Sequence, residues 1–236
     1  GATQHIDAAS IRGEGAVVPY VRGNIAANQG HLKSALSHYN EAIEMEPTHV
    51  RARLNRANIH MASENAQAAL DDANILLELA PKLGYAKLRR AEANMLLSNW
   101  EDARKDLETI IEGAPHHHYA LTKLASCYIS MGRPEKAEAP LNEALRLEPN
   151  HTDAWHHRGL LYLDWGREEE AINDFEAAIR CDGSHIDARL HIAAIHHEAK
   201  RFDEASTAWS GVLAINPDHT VARIRREECE IALATI

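Results

Sequence analysis

Histidine is the side chain that this sequence offers most freely for chemistry, with sixteen copies in 236 residues. Imidazole can ligate a transition metal, move a proton near neutral pH or serve as a hydrogen-bonding group. Two sets stand out. His116-His117-His118 is a contiguous run, and His157 and His191, with His156, His197, Glu198 and Asp187 nearby, could gather imidazole and carboxylate ligands. Neither set has a metal-site spacing such as His-Glu-x-x-His. His49, His117, His151, His185 and His219 also share one place in a 34-residue period, which marks a structural turn position rather than a site. No metal and no cofactor is therefore expected, and the role left for His157 and His191 is charge gained below about pH 6.5. There is no Gly-rich phosphate loop and no nucleophile elbow, and Glu92 and Asp164 are single acids in different segments. The inventory points to binding rather than catalysis.

The elements that must carry these residues are clearest in Thr152 to His185. Trp155, Gly159 and Tyr162 recur at i, i+4 and i+7, one face of a helix; Ala171, Phe175 and Ala178 do the same for a second helix, with Gly166-Arg167 as the turn between them. Gly159 and Ala171 leave room for two helix backbones to approach closely. Steps of 34 from Ala171 land on Ala35, Ala69, Ala103, Ala137 and Ala205. A first-helix column reads Gly23, Ala57, Ala91, Ala125, Gly159, Ala193, and a helix-stop column reads Pro47, Pro81, Pro115, Pro149, Gly183, Pro217.

On these residues the chain resembles the tetratricopeptide repeat family, departing at Arg158, where the signature has Leu, and at Gly183, where it has Pro. The resemblance implies an all-α, right-handed superhelical solenoid of six antiparallel helix pairs, at 16–49, 50–83, 84–117, 118–151, 152–185 and 186–219. First helices would line a concave groove that binds peptides or protein partners. Residues 1–15 lack an apolar period and read as a flexible arm. Residues 220–236 read as a capping helix, with Val221, Ile224 and Ile231 on one face and Glu227 where earlier repeats have Gly or Ala.

Composition narrows the partner. A net charge of −10 argues against nucleic acid, which needs a basic face. Acidic residues concentrate on second helices, as at Glu168, Glu169, Glu170, Asp174 and Glu176, and are expected to form a solvated outer face. No apolar run is long enough to span a membrane. Cys127, Cys181 and Cys229 are odd in number and far apart, which fits a reducing compartment rather than a disulfide framework. Cytoplasm is the default, and a removed leader or a longer parent chain is compatible with the sequence.

The groove implied by the resemblance selects two columns on first helices. Two residues before the Gly/Ala position stand Val21, Asn55, Arg89, Lys123, His157 and His191, with Arg225 in the cap; three residues further on stand Asn24, Asn58, Glu92, Ser126, Leu160 and Ala194. The first column is basic within an acidic protein, which favours an acidic partner. Asparagine offers both a donor and an acceptor for the backbone of an extended peptide. Tyr20, Tyr85 and Tyr119 should lie near the same surface. The expected peptide-binding residues are Asn24, Asn55, Asn58, Arg89, Lys123, His157, His191, Tyr20 and Tyr85, and the ligand an acidic or C-terminal segment.

Co-chaperone repeats of this family hold C-terminal carboxylates with two Lys, two Asn and one Arg. Asn24, Asn55 and Arg89 match three of those places, while Tyr20 and Tyr85 stand in the two Lys places. Arg22, Arg56, Arg90 and Arg158, just before the Gly/Ala column, are expected to pair with second-helix acids such as Asp72, Asp106 and Asp174. Other readings are a self-assembling scaffold using the convex face, which leaves the oligomeric state open, and a regulatory module of a larger enzyme.

Overall fold

The computed structural model describes residues 15–235, so the expected N-terminal arm falls, apart from Gly15, outside the described residues. Within this range the chain is an all-α array of six antiparallel helix pairs and a final helix, and it divides into two compact units at Pro115/His116. The first unit holds α1 (Val17–Asn28), α2 (Leu32–Met45), α3 (Val50–Ala62), α4 (Ala66–Leu79), α5 (Gly84–Leu96) and α6 (Trp100–Gly113). The second holds α7 (His118–Ser130), a 3-10 turn (Pro134–Lys136), α8 (Glu138–Leu147), α9 (Thr152–Asp164), α10 (Glu168–Cys181), α11 (Ile186–Glu198), α12 (Phe202–Ile215) and α13 (Thr220–Ala234).

The fourth repeat starts its second helix late. Pro140 lies in the first turn of α8, where its missing N–H is harmless because those donors have no partner inside the helix.

Each pair closes around the predicted small residues. Ala35, Ala69, Ala103, Ala137, Ala171 and Ala205 are fully buried. The glycines of the first-helix column answer a particular neighbour: a Cβ on Gly23 would stand 2.5 Å from the Tyr39 ring, and one on Gly159 would stand 2.7 Å from the Phe175 ring. Where the facing residue is Ala73, Leu107 or Leu141, the column carries Ala57, Ala91 or Ala125. Side-chain volume is thus exchanged across five of the pairs at a spacing of sixteen residues, while in the sixth Ala193 stands opposite Trp209.

The turns within pairs put one residue in the left-handed region at the same 34-residue spacing. Gly30, Gly132 and Gly166 have φ between 68° and 75°, while Glu64, Ser98 and Lys200 adopt φ of 57° to 61°. Only glycine enters that region without a steric penalty.

The recurring histidines begin the first helix of the next repeat. Nδ1 of His49, His117, His185 and His219 accepts a hydrogen bond from the backbone N–H three residues on, at 3.1, 3.2, 3.1 and 3.1 Å, so each is an N-cap carrying its proton on Nε2. His151 occupies the same place without that bond and packs against the His118 ring instead.

The final helix, α13, buries Ala222 and Cys229, whereas Val221, Ile224 and Ile231 are 55%, 50% and 67% exposed. The apolar face expected to pack is therefore the outward one. No helix of the described residues is long and apolar enough to cross a membrane.

Candidate functional site

In the first unit the structure brings three predicted asparagines together. Asn55 Nδ2 donates to Asn24 Oδ1 at 2.8 Å, and the Tyr39 hydroxyl donates to the same oxygen at 2.9 Å. With Asn58 and Ile59 they line a cleft of about 380 Å³ between α1 and α3, and the buried Asn58 Oδ1 has no protein partner. Tyr39 was missed as a groove residue because it belongs to a second helix. It reaches this face across Gly23, and that reach was readable from the i, i+16 pairing of a large ring with a glycine.

Two predicted members are arranged differently. Tyr20 packs its ring against His49 at 4.9 Å and Tyr39 at 6.3 Å. Arg89 Nη1 donates to Glu92 Oε2 at 2.5 Å, its Nη2 donates to the Tyr85 hydroxyl at 2.9 Å, and its guanidinium lies 4.8 Å over the Tyr85 ring. Arg89 is thus neutralised on its own helix by Glu92, a residue of the neighbouring column, so the column carries less positive charge than its sequence suggests.

The second unit presents imidazole and ammonium. Lys123 stands 5.0 Å over the Tyr119 ring and has no ion pair among the described residues. His157 Nδ1 lies 2.6 Å from the Asp153 carbonyl, which can only accept, so the proton sits on Nδ1. His156 ties this region together, with ring centroids 4.8 Å from His185, 5.5 Å from His191 and 5.9 Å from His157. His191 stacks on Phe175 at 5.0 Å. Burial holds His156 down to about pH 4, and the cationic forms of His185, His157 and His191 push the same way. Burial also lowers His151, His157 and His191.

The remaining histidine of the candidate metal set lies elsewhere. His197 lies 3.3 Å from Cys229 Sγ and 3.6 Å from Glu228 on the capping helix. Among the described residues no group of three or more His, Cys, Asp or Glu side chains could hold a metal ion.

Three of the four recurring arginines pair with second-helix acids as expected; the fourth, Arg22, has His38 rather than an acid sixteen residues on. Arg56 binds both carboxylate oxygens of Asp72 (2.8 and 2.6 Å), Arg90 those of Asp106 (2.7 and 2.6 Å) and Arg158 those of Asp174 (2.7 and 2.8 Å). The remaining nitrogen of each reaches back to Asn40, Asn74 or Asn142 on the preceding second helix. Each guanidinium therefore clamps three helices. Asp72, Asp106 and Asp174 are buried, which corrects the expectation that Asp174 belongs to a solvated acidic face. The asparagines are the unforeseen third member.

Family models for the tetratricopeptide repeat match residues 20–83, 94–160 and 152–185. The chain belongs to the tetratricopeptide repeat family. With it comes membership in a class of protein–protein interaction modules. None of the curated proteins matches the sequence. Among solved structures, this tetratricopeptide array is similar to a repeat protein from Parabacteroides merdae ATCC 43184, with 20% identity, a TM-score of 0.73 and coverage of 93% of this chain and 86% of that one. It is similar to TTC0263, a TPR protein of Thermus thermophilus, with 20% identity, a TM-score of 0.64 and coverage of 77% and 99%. It is also similar to YrrB, described as a TPR protein with an unusual peptide-binding site, with 21% identity, a TM-score of 0.58 and coverage of 80% and 97%. At these identities the likeness concerns the fold.

Proposed function

We propose that this tetratricopeptide module binds extended peptide segments on its first-helix faces, with an amide-lined contact region in the first unit and one lined by a lysine and imidazoles in the second. The observation that carries the reading is the Asn24–Asn55–Asn58 cluster. Three amides and the Tyr39 hydroxyl surround a cleft, and one buried carbonyl oxygen is left to accept from a ligand. An extended backbone offers an N–H of the kind that this oxygen lacks.

Preference for an acidic or C-terminal segment rests on Lys123, and on Arg89 where a ligand carboxylate displaces Glu92. His157 and His191 extend the second region, and Tyr85 flanks Arg89. The full carboxylate grip of the co-chaperone relatives is disfavoured, because Tyr85 stands where an ammonium is required and its hydroxyl accepts from Arg89. The peptide-binding site described for YrrB is a precedent on a similar fold.

The test is binding of short acidic and neutral peptides, each with a free or an amidated C-terminus, to the protein and to its Asn55→Ala and Lys123→Ala variants. Asn55→Ala should weaken every peptide about tenfold, the effect of one lost buried hydrogen bond. Lys123→Ala should weaken only the acidic ones. Binding untouched by both variants would refute the proposal.

A further inference from the structure

The arginine clamp is replaced as a set in the fourth repeat, by Glu108, Leu124 and Pro140, and again in the sixth. Where Arg56, Arg90 and Arg158 stand, the sequence has Ile192; the acid position carries Ala208 and the asparagine position Glu176. One exchange would leave a buried charge unpaired, and the joint exchange avoids that. It also removes two of the three polar side chains that fill the space between neighbouring second helices in the second, third and fifth repeats, and leaves Glu176 as the third. The result is a cleft of about 370 Å³ between α10 and α12, floored by α11 and lined by Ile179, Ile192, Ala208 and Gly211 with Arg180 and Arg189 at its edge. The four floor residues are all half-buried, so apolar surface stays open there.

The edge is cationic. Arg189 donates from Nη2 to the Gly183 carbonyl at 3.0 Å, and its buried Nε has no partner. Arg180 is 69% exposed and only loosely held by Glu176 at 3.8 Å. Two guanidinium groups face one carboxylate, so charge complementarity calls for an anionic group beside whatever apolar group fills the floor.

We propose that this cleft, between the second helices α10 and α12 and lined by none of the first-helix column residues such as His191 and Ala194, is a docking site for a partner segment in which one aliphatic side chain is followed directly by acidic residues. The aliphatic group fills the floor over Ile179 and Ile192. The carboxylate meets Arg180 and Arg189. Gly211 brings the α12 backbone close to the edge, where a Cβ would stand 3.4 Å from Arg189 Nη1.

The experiment titrates isotope-labelled protein with the capped peptide Gly-Leu-Asp-Glu-Gly and reads amide shifts. The same peptide with Leu replaced by Ala, or with Asp-Glu replaced by Asn-Gln, serves as a control. Saturable shifts are expected at Ile179, Ile192, Ala208 and Gly211, with affinity about tenfold lower for either control. The triple variant Glu176→Asn, Ile192→Arg, Ala208→Asp installs the clamp that the chain already uses in three repeats, so it should fold, fill the cleft and lose the response. Ala208→Met, a single plug, gives the same readout should the triple variant unfold. Shifts absent from those four residues, or retained when the cleft is filled, would overturn the assignment. Equal binding of the Asn-Gln control would overturn the acidic partner.

Discussion

The first helices of residues 15–115 present amides and an arginine paired on its own helix, whereas those of 116–235 present imidazoles and a lysine without an ion pair among the described residues. The frame beneath them is common to both. Arg90–Asp106–Asn74 in the first unit and Arg158–Asp174–Asn142 in the second have the same spacing and carboxylate contacts of 2.6 to 2.8 Å, while the asparagine contact is 3.4 Å in the first and 2.7 Å in the second. Gly23 under Tyr39 and Gly159 under Phe175 repeat one steric solution. The contrast separates residues that build the repeat, which recur, from residues that select a ligand, which do not.

Changes to the frame should therefore act alike in both units. Asp106→Ala and Asp174→Ala each strip the partner from a largely buried guanidinium and should cost about 3 kcal/mol, the low end for a broken buried pair because Arg90 and Arg158 keep some solvent contact. The joint variant Asn142→Glu, Arg158→Ile, Asp174→Ala copies the sixth repeat and should recover most of that loss in chemical denaturation. A triple variant as unstable as Asp174→Ala alone would show that the clamp contributes more than the absence of an unpaired charge. Gly23→Val and Gly159→Val should each cost about 2 kcal/mol by overpacking against an aromatic ring. Phe175→Leu added to Gly159→Ala should be close to neutral, since Ala91 already faces Leu107 in the third repeat.

Acid should separate the units. His156 is held to about pH 4 in the folded protein but titrates near 6.5 when unfolded, so below 6.5 the unfolded chain takes up the proton first. Stability from keeping this ring neutral is complete above about pH 6.5 and is lost as pH falls through the window towards 4. For His156 the loss is about 2 kcal/mol between pH 7 and 5, and the lowered His151, His157 and His191 add in the same direction. The groups facing His156 are His157, His185, His191 and Asp187, of which only Asp187 favours its cation. In the first unit His60 is lowered in the same sense. Amide exchange at pH 5 against pH 7 should therefore open residues 116–235 more than 15–115, and His156→Phe should remove much of that difference. Uniform opening would contradict the assignment.

The smallest effect belongs to the frame again. Ser98→Gly should stabilise the first unit by about 1 kcal/mol and Lys200→Gly the second by a similar amount, because each position has φ near 60°. Thermal denaturation of the two variants would check it.

The fold was legible because one period governs two independent columns, the small residues and the helix stops. The second helices were harder to read. Asp174 looked like part of a solvated acidic run, and only its place sixteen residues after Arg158 marks it as buried. The histidine caps escaped recognition as caps because imidazole is an unusual N-cap, although their constant place two residues after the stop was plain. Asn24, Asn55 and Asn58 were found together because columns on adjacent first helices converge. The charge of Arg89 was misjudged, since Glu92 three residues on lies on the same helix face and satisfies it.

The most direct test of the central claim, that ligands meet the first-helix faces, is amide-shift mapping with one free-carboxylate peptide made only of Ser, Gly and Asp. The account predicts saturable shifts around Asn55 and Asn58 and around Lys123 and His157, with the second helices silent. Shifts confined to the second helices, with those four residues unmoved, would contradict it.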